Sequence, residues 1–243
     1  MFFLDFLNKI TEFQIPSNQL GSNNFLSESF SLCKQKVYVN GATEFSTKLR
    51  NGELSKEIYV RYIIDLYEVY SSLEISIQKR WENRLDFENG LEGGYESYFW
   101  FLNNPLLFRN EKLLKDLCSP DLLSIEIKNC SKIAREYSEY LLWLSTYHPH
   151  FLIAHAYVRY IEDLSDIEIA GQSVSRQWPT ATHYYDFSEL FMEANQTNQE
   201  FQSDFKSRLN IINFTDNQIA DLMDECKIAY DFYLKLLAQA VTI

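Results

Sequence analysis

After Pro149, the residues His155, Arg159, Glu162, Asp163 and Asp166 bring an imidazole, a guanidinium and three carboxylates into a few turns of a candidate helix. Steps of four and three residues nearly restore the angle at 3.6 residues per turn, so His155, Arg159, Glu162 and Asp166 share one face. Arg159 stands three residues before Glu162 and four before Asp163, the spacing of a helical ion pair. Carboxylates and a histidine on one face are the raw material of a metal centre, and Glu68 and Glu74 on an earlier helix could face them. A di-iron centre, however, needs several carboxylates and histidines converging from at least two helices. His148 and His150 fall at a helix start and His183 in a loop, leaving only His155 well placed, so a solvated acidic stripe is the simpler reading. Nucleophilic and phosphate chemistry find no support: there is no Gly-rich phosphate loop, no G-x-S-x-G elbow and no His/Cys pairing at informative spacing.

The elements that must position these groups are helices. From Ser55 to Arg80, Tyr59, Tyr62, Ile63, Leu66, Tyr70, Leu73 and Ile77 recur at helical spacing, with Lys56, Arg61, Asp65, Glu68 and Ser72 elsewhere around the wheel. Asn51-Gly52 is the turn that delivers the chain to this helix, and Ser55 is its expected N-cap. Ser119-Pro120 places a cap and an N1 proline ahead of a helix expected to reach about Leu144, and Pro149 opens the next. Thr215 to Gln218 has capping-box spacing and precedes an amphipathic terminal helix through Leu222, Cys226, Tyr230, Tyr233 and Leu237. Breaks are expected at Leu85 to Gly94, Asn103 to Pro105 and Trp178 to His183.

With 243 residues, 46% of them hydrophobic, the chain can bury one sizeable core. Seven glycines and five prolines are too few for a fold built on many tight turns, which leaves an all-α, single-domain multi-helix bundle. Residues 1–23 read as an N-terminal extension and 24–240 as the helical domain. The formal net charge of -12 disfavours nucleic acid and anionic membrane surfaces. No apolar run approaches the length of a membrane span, and Asp5 interrupts the apolar opening without a basic n-region or cleavage site. Cys33, Cys118, Cys130 and Cys226 form no C-x-x-C pair and read as reduced thiols of a cytoplasmic protein. The high aromatic content is read as core packing. The aromatic N-terminal segment Phe2, Phe3, Phe6 and Phe13 could pack on its own domain, meet a protein partner or mediate a homodimer.

The stretch Leu152-Ile153-Ala154-His155-Ala156-Tyr157-Val158-Arg159-Tyr160-Ile161-Glu162-Asp163-Leu164-Ser165 closely resembles the distal helix of the heme oxygenases, which reads roughly L-x-A-H-A-Y-x-R-Y-x-G-D-L-S-G-G. Leu26-Ser27-Glu28, the run from Leu66 to Glu74, and Phe205-Lys206-Ser207-Arg208-Leu209-Asn210 resemble further family segments in the same order. The resemblance spans most of Leu26 to Leu237. It implies a single helical domain that clamps heme between a proximal and a distal helix. It also implies the family reaction, in which oxygen and a reductant, supplied through a ferredoxin or a reductase, open the porphyrin to biliverdin, carbon monoxide and iron. A non-heme di-iron oxidase on the same scaffold is the less favoured alternative.

Carried over residue by residue, the resemblance gives a site with several departures. The position of the family's axial histidine falls on Tyr38, or on Val37 if counted back from Asn51-Gly52. A tyrosinate from Tyr38 could bind ferric iron, although an ordinary helix-end tyrosine is the simpler reading. Asp163 matches the aspartate that organises water beside bound oxygen. Glu162, Asp166 and Ile167 stand where the family has the glycines that let the backbone approach the iron. Tyr157 and Lys206 match propionate contacts, while two cationic anchors are replaced by Ser31 and Gln202. Each lost charge-assisted bond removes roughly 1.5–3 kcal/mol of gross support. The expectation is a heme-oxygenase fold with weakened heme binding and a degenerate site, non-canonical or inactive in heme cleavage and left to bind a tetrapyrrole or a partner. An active enzyme with Tyr38 as its unusual ligand is the alternative.

Overall fold

A computed structural model describes residues 26–34, 42–82, 102–126, 129–212 and 214–242, and helices with their connections account for all of them. The N-terminal extension, the Tyr38 position and the break expected at 85–94 lie outside the described residues. In chain order the helices are α1 (Leu26–Lys34), α2 (Ala42–Asn51), α3 (Lys56–Glu82), α4 (Asn110–Leu117) and α5 (Lys132–Tyr147). A 3-10 turn, Pro149–Phe151, leads into α6 (Leu152–Ala156), which continues through a π turn, Tyr157–Ile161, into α7 (Glu162–Gln177). A second 3-10 turn, His183–Tyr185, precedes α8 (Ser188–Ala194), α9 (Asn198–Asn210) and α10 (Asp216–Val241).

The long helix α3 is the spine of the bundle. Its stripe Ile63, Leu66, Val69, Tyr70, Leu73 and Ile77 is completely buried, and it packs along α5, α4 and α10. Ser55 starts it, its hydroxyl accepting the Ile58 N–H at 3.3 Å. The turn before it rests on Gly52, whose φ of 73° is a left-handed conformation that glycine adopts without steric cost. Thr215 and Gln218 form the expected reciprocal cap on α10, and Thr197 and Glu200 form another on α9.

One expected start moves. The chain does not enter a helix at Ser119-Pro120; those residues form a short turn, with the Ser119 carbonyl accepting the N–H groups of Leu122 and Leu123. Asp121 is drawn off to the Thr180 loop, accepting its backbone N–H at 2.8 Å and its hydroxyl at 2.7 Å. The helix begins instead at Lys132, where Ser131 Oγ accepts the Ala134 N–H at 3.1 Å. The buried Asp65 carboxylate of α3 accepts the Ser131 N–H at 2.6 Å, so a tertiary contact sets the start that proline chemistry alone does not.

Three elements converge beside the long distal run. α2 packs on both α7 and α10, and α10 also contacts α1, α6 and the π turn. The Asn210 side chain at the end of α9 accepts the Ser27 N–H at 3.0 Å, joining two of the resembling segments through the first turn of α1. Among the described residues no helix is long and apolar enough to cross a membrane.

Candidate functional site

Asp163 is the centre of the buried polar cluster. Its side chain is 8% exposed, and its Oδ2 accepts the Tyr70 hydroxyl from α3 and the Tyr184 hydroxyl from the second 3-10 turn, the latter at 2.5 Å. Arg159, one turn earlier, donates through Nη2 to both carboxylate oxygens at 3.3 and 3.2 Å. The Arg159 side chain is wholly buried and lies 5.1 Å from the ring centroids of both Tyr70 and Tyr233, so aromatic faces cover the part of the guanidinium that makes no hydrogen bond. Burial lifts the Asp163 carboxyl above the ordinary carboxylate range, and Arg159 and the two phenols oppose that lift. The Tyr70 and Tyr184 phenols are pushed well up, first by burial and then by the Asp163 charge, so they act as donors to it.

Tyr184 is placed by a set of buried groups around the loop that carries it. Asp116 at the end of α4 is fully buried and accepts the N–H groups of His183 and Tyr184, each at 2.8 Å, together with His183 Nδ1 at 2.7 Å. Arg109 stacks its guanidinium 3.7 Å from the centroid of the Phe187 ring and donates to the carbonyls of Tyr184 and Asp186 at 3.4 and 2.8 Å. Glu74 of α3 accepts the Arg109 and Asn110 N–H groups at 2.5 and 3.2 Å, satisfying the open first turn of α4, and the Tyr160 hydroxyl at 3.4 Å. Burial pushes the Glu74 carboxyl up to about 8 against these donors. Gly171 lets the turn sit on α7, because a Cβ there would lie 3.1 Å from Tyr185 Cβ.

The candidate positions on the distal run do not share one face. The π turn inserts a residue into the helical ladder between His155 and Glu162 and so rotates α7 relative to α6. His155 turns into the core, where Nδ1 meets the Tyr137 hydroxyl at 2.9 Å and Nε2 meets Glu225 at 2.7 Å. Glu162 turns to α10 and accepts the Tyr230 hydroxyl at 2.9 Å. Asp166 reaches the half-exposed Arg50 of α2 at 2.6 Å, and Ile167 packs into the core at 7% exposure. Glu68 binds Ser138, and Glu74 binds the start of α4 and meets the distal run only through the Tyr160 hydroxyl; among the described residues no three His, Cys, Asp or Glu side chains gather as a metal site.

Glu162, Asp166 and Ile167 all border the space between α2, α7 and α10, Asp166 with its side chain 44% exposed. What remains is a cavity of about 40 Å³, bordered by Phe45, Tyr62, Asp163, Ile167, Tyr184 and Tyr233 among others. That is room for a few waters, against roughly 300–1,000 Å³ for an ordinary ligand pocket. Tyr157 faces α1 and shares a hydrogen bond of 3.0 Å with the Ser31 hydroxyl; burial raises its phenol to about 12. Lys206 sits half-buried on α9, and Gln202 accepts the Ser165 hydroxyl at 3.3 Å. The helix spacing thus anticipated the Arg159–Asp163 pair, while Tyr70, Tyr184, Tyr230 and Arg50 carried no local signal of their parts in the cluster.

The heme oxygenase family model matches residues 40–239. A heme oxygenase of Porphyra purpurea is 27% identical over 202 residues, which cover 80% of this chain and 77% of that one. The structure of heme oxygenase from Leptospira interrogans superposes with a TM-score of 0.72 at 20% identity, covering 89% of this chain and 100% of that one. Heme oxygenase-2 from Synechocystis sp. PCC 6803, solved in complex with heme and NO, gives 0.71 at 19% identity over 89% and 85% of the two chains. With a family match running from just before α2 almost to the end of α10, the chain belongs to the heme oxygenase family.

Proposed function

We propose that this chain is a heme-oxygenase-family protein whose heme cleft is closed by its own side chains, and that it does not carry out ordinary heme cleavage. The observation that carries this reading is the occupation of the three glycine positions: Glu162 held by Tyr230, Asp166 held by Arg50, and Ile167 in the core. A tetrapyrrole does not fit a 40 Å³ cavity. The aspartate that would organise water is also committed elsewhere. Oδ2 accepts from Tyr70, Tyr184 and Arg159, which saturates that oxygen, and Oδ1 accepts from Arg159 as well. In this reading Asp163 holds the bundle together rather than serving bound oxygen.

The propionate side supports the same conclusion. Ser31, at a family lysine position, hydrogen-bonds Tyr157 instead of offering a charge, and Lys206 alone keeps a cation among the positions carried over. The domain of residues 24–240 then acts as a binding body, for a tetrapyrrole edge or a protein partner, with residues 1–23 as an appended segment. Tyr38, Tyr157, Lys206, Glu162, Asp166 and Ile167 are remnants of, or replacements in, the cofactor site, and a ferredoxin or reductase would have no substrate to serve.

The test is a visible-spectrum titration of the purified protein with hemin, followed by ascorbate or a ferredoxin-type reductant in air. The expected outcome is no saturable one-to-one band and no bilin. Saturable binding with loss of the heme band and appearance of a bilin would establish an active heme oxygenase. If that spectrum were lost in Tyr38→Phe, the alternative ligand would be Tyr38.

A further inference from the structure

Cys33 and Cys226 lie far apart in the sequence and share no motif, but α1 and α10 bring them together. Cys33 is 1% exposed on α1, and Cys226 is completely buried on α10. The Cys33 sulfur lies 3.4 Å from both the Ser29 carbonyl of its own helix and the Met223 carbonyl of α10, which share its single S–H. Met223 stands three residues before Cys226, so the Cys33 thiol meets α10 within one helical turn of its counterpart. Both sulfurs are free thiols here, as are the exposed Cys118 and the half-buried Cys130.

We propose that Cys33 and Cys226 are a dithiol pair that closes to a reversible intramolecular disulfide, stapling α1 to α10. The oxidant is a small disulfide such as glutathione disulfide. When α1 lifts, the Cys33 thiolate attacks one sulfur of the small disulfide, breaking its S–S bond and releasing one small thiolate. The Cys226 thiolate then attacks Cys33 Sγ in the mixed disulfide and expels the second. Two protein thiols are oxidised, one small disulfide is reduced to two thiols, and the protein's two protons pass through solvent to the leaving thiolates.

Cys33 is the sulfur that opens, because the described part of α1 packs chiefly on α9 and α10, while α10 packs on α1, α2, α3, α5 and α6. Burial pushes the Cys226 thiol well up, which slows attack while the helices are closed and makes the opening of α1 the controlling event. The staple matters for the cleft because α1 carries Ser31, the hydrogen-bond partner of Tyr157, and α10 carries Tyr230 and Tyr233. Oxidation therefore ties α10, which lines the cavity with Tyr233, to α1, which holds Tyr157 through Ser31, and reduction lets α1 move. This inference goes beyond the closed-cleft reading and stands whether or not heme binds.

The experiment incubates the full-length protein with glutathione disulfide without denaturant, blocks remaining thiols with N-ethylmaleimide, and maps the peptides without reduction. The expected result is a Cys33–Cys226 linked peptide, reversed by dithiothreitol. It should come with a thermal midpoint about 10–20 °C above the reduced form, from closure of a loop of roughly 190 residues. A variant with Cys118→Ser and Cys130→Ser should keep both. Linkage running only through Cys118 or Cys130, a Cys33–Cys226 link without a rise in midpoint, or Cys33 and Cys226 both blocked by maleimide only after unfolding while Cys118 has oxidised, would overturn the proposal. The peptide map of the unaltered chain decides it even if a variant fails to fold.

Discussion

Asp163 and Asp166 are separated by less than one helical turn and do different physical work. Asp163 neutralises a guanidinium that has no solvent, so Asp163→Asn leaves Arg159 buried without its counter-charge. The expected loss is about 3–5 kcal/mol in urea unfolding. Arg50→Ala removes an ion pair that is nearly half exposed on both sides, and the same measurement should show less than about 1 kcal/mol. Comparable losses from the two variants would mean that the buried cluster is not what holds the distal run. At this scale the sequence was half legible. Arg159 and Asp163 stand four apart on one helix, so their pairing follows from helical geometry. Tyr70 is 93 residues from Asp163, and Tyr184 belongs to a loop whose shape depends on Asp116 and Arg109. No local pattern records either partner.

Among the elements, α4 depends on a carboxylate supplied from outside it. Glu74 of α3 binds the N–H groups that open α4, and burial raises its carboxyl from the ordinary 4.5 to about 8. The folded state thus holds the Glu74 proton more tightly than the unfolded chain. Its contribution is fully present below about 4.5 and is lost as pH rises through about 8. Glu74→Gln cannot titrate yet keeps an acceptor oxygen. Between pH 5 and 8 its thermal midpoint should therefore fall less than that of the unaltered chain, and parallel profiles would rule Glu74 out as the source.

The start of α5 is a second element-level test. Ser131→Ala removes a cap and should cost about 1 kcal/mol, whereas Ser119→Ala removes a buried hydroxyl with no hydrogen-bond partner and should be neutral or slightly stabilising. Ser119-Pro120 carries every local mark of a helix start, but Asp65 selects Ser131 from 66 residues away. The π turn was equally hidden, since one inserted residue in a hydrogen-bond ladder leaves no mark in composition. The capping boxes at Thr215 and Thr197 are of the opposite kind: their partners lie three residues on, and the Thr215 box was readable directly.

For the whole molecule, the all-α bundle follows from long amphipathic helices and few glycines, and its fold is that of solved heme oxygenases. The closure proposed for the cleft does not follow from pattern. It needs Arg50 of α2 brought to Asp166 and Tyr230 of α10 brought to Glu162, with Ile167 in the core. Reopening it should restore a family property and cost stability, since each helical glycine costs about 1 kcal/mol and deleting the Ile167 side chain about 2–5 kcal/mol. The decisive measurement is a hemin titration of the unaltered chain beside a variant with Glu162→Gly, Asp166→Gly, Ile167→Gly and Tyr38→His, both checked for helix content by circular dichroism. A closed cleft predicts saturable one-to-one binding in the folded variant alone; saturable binding by the unaltered chain, or none by a folded variant, would contradict it.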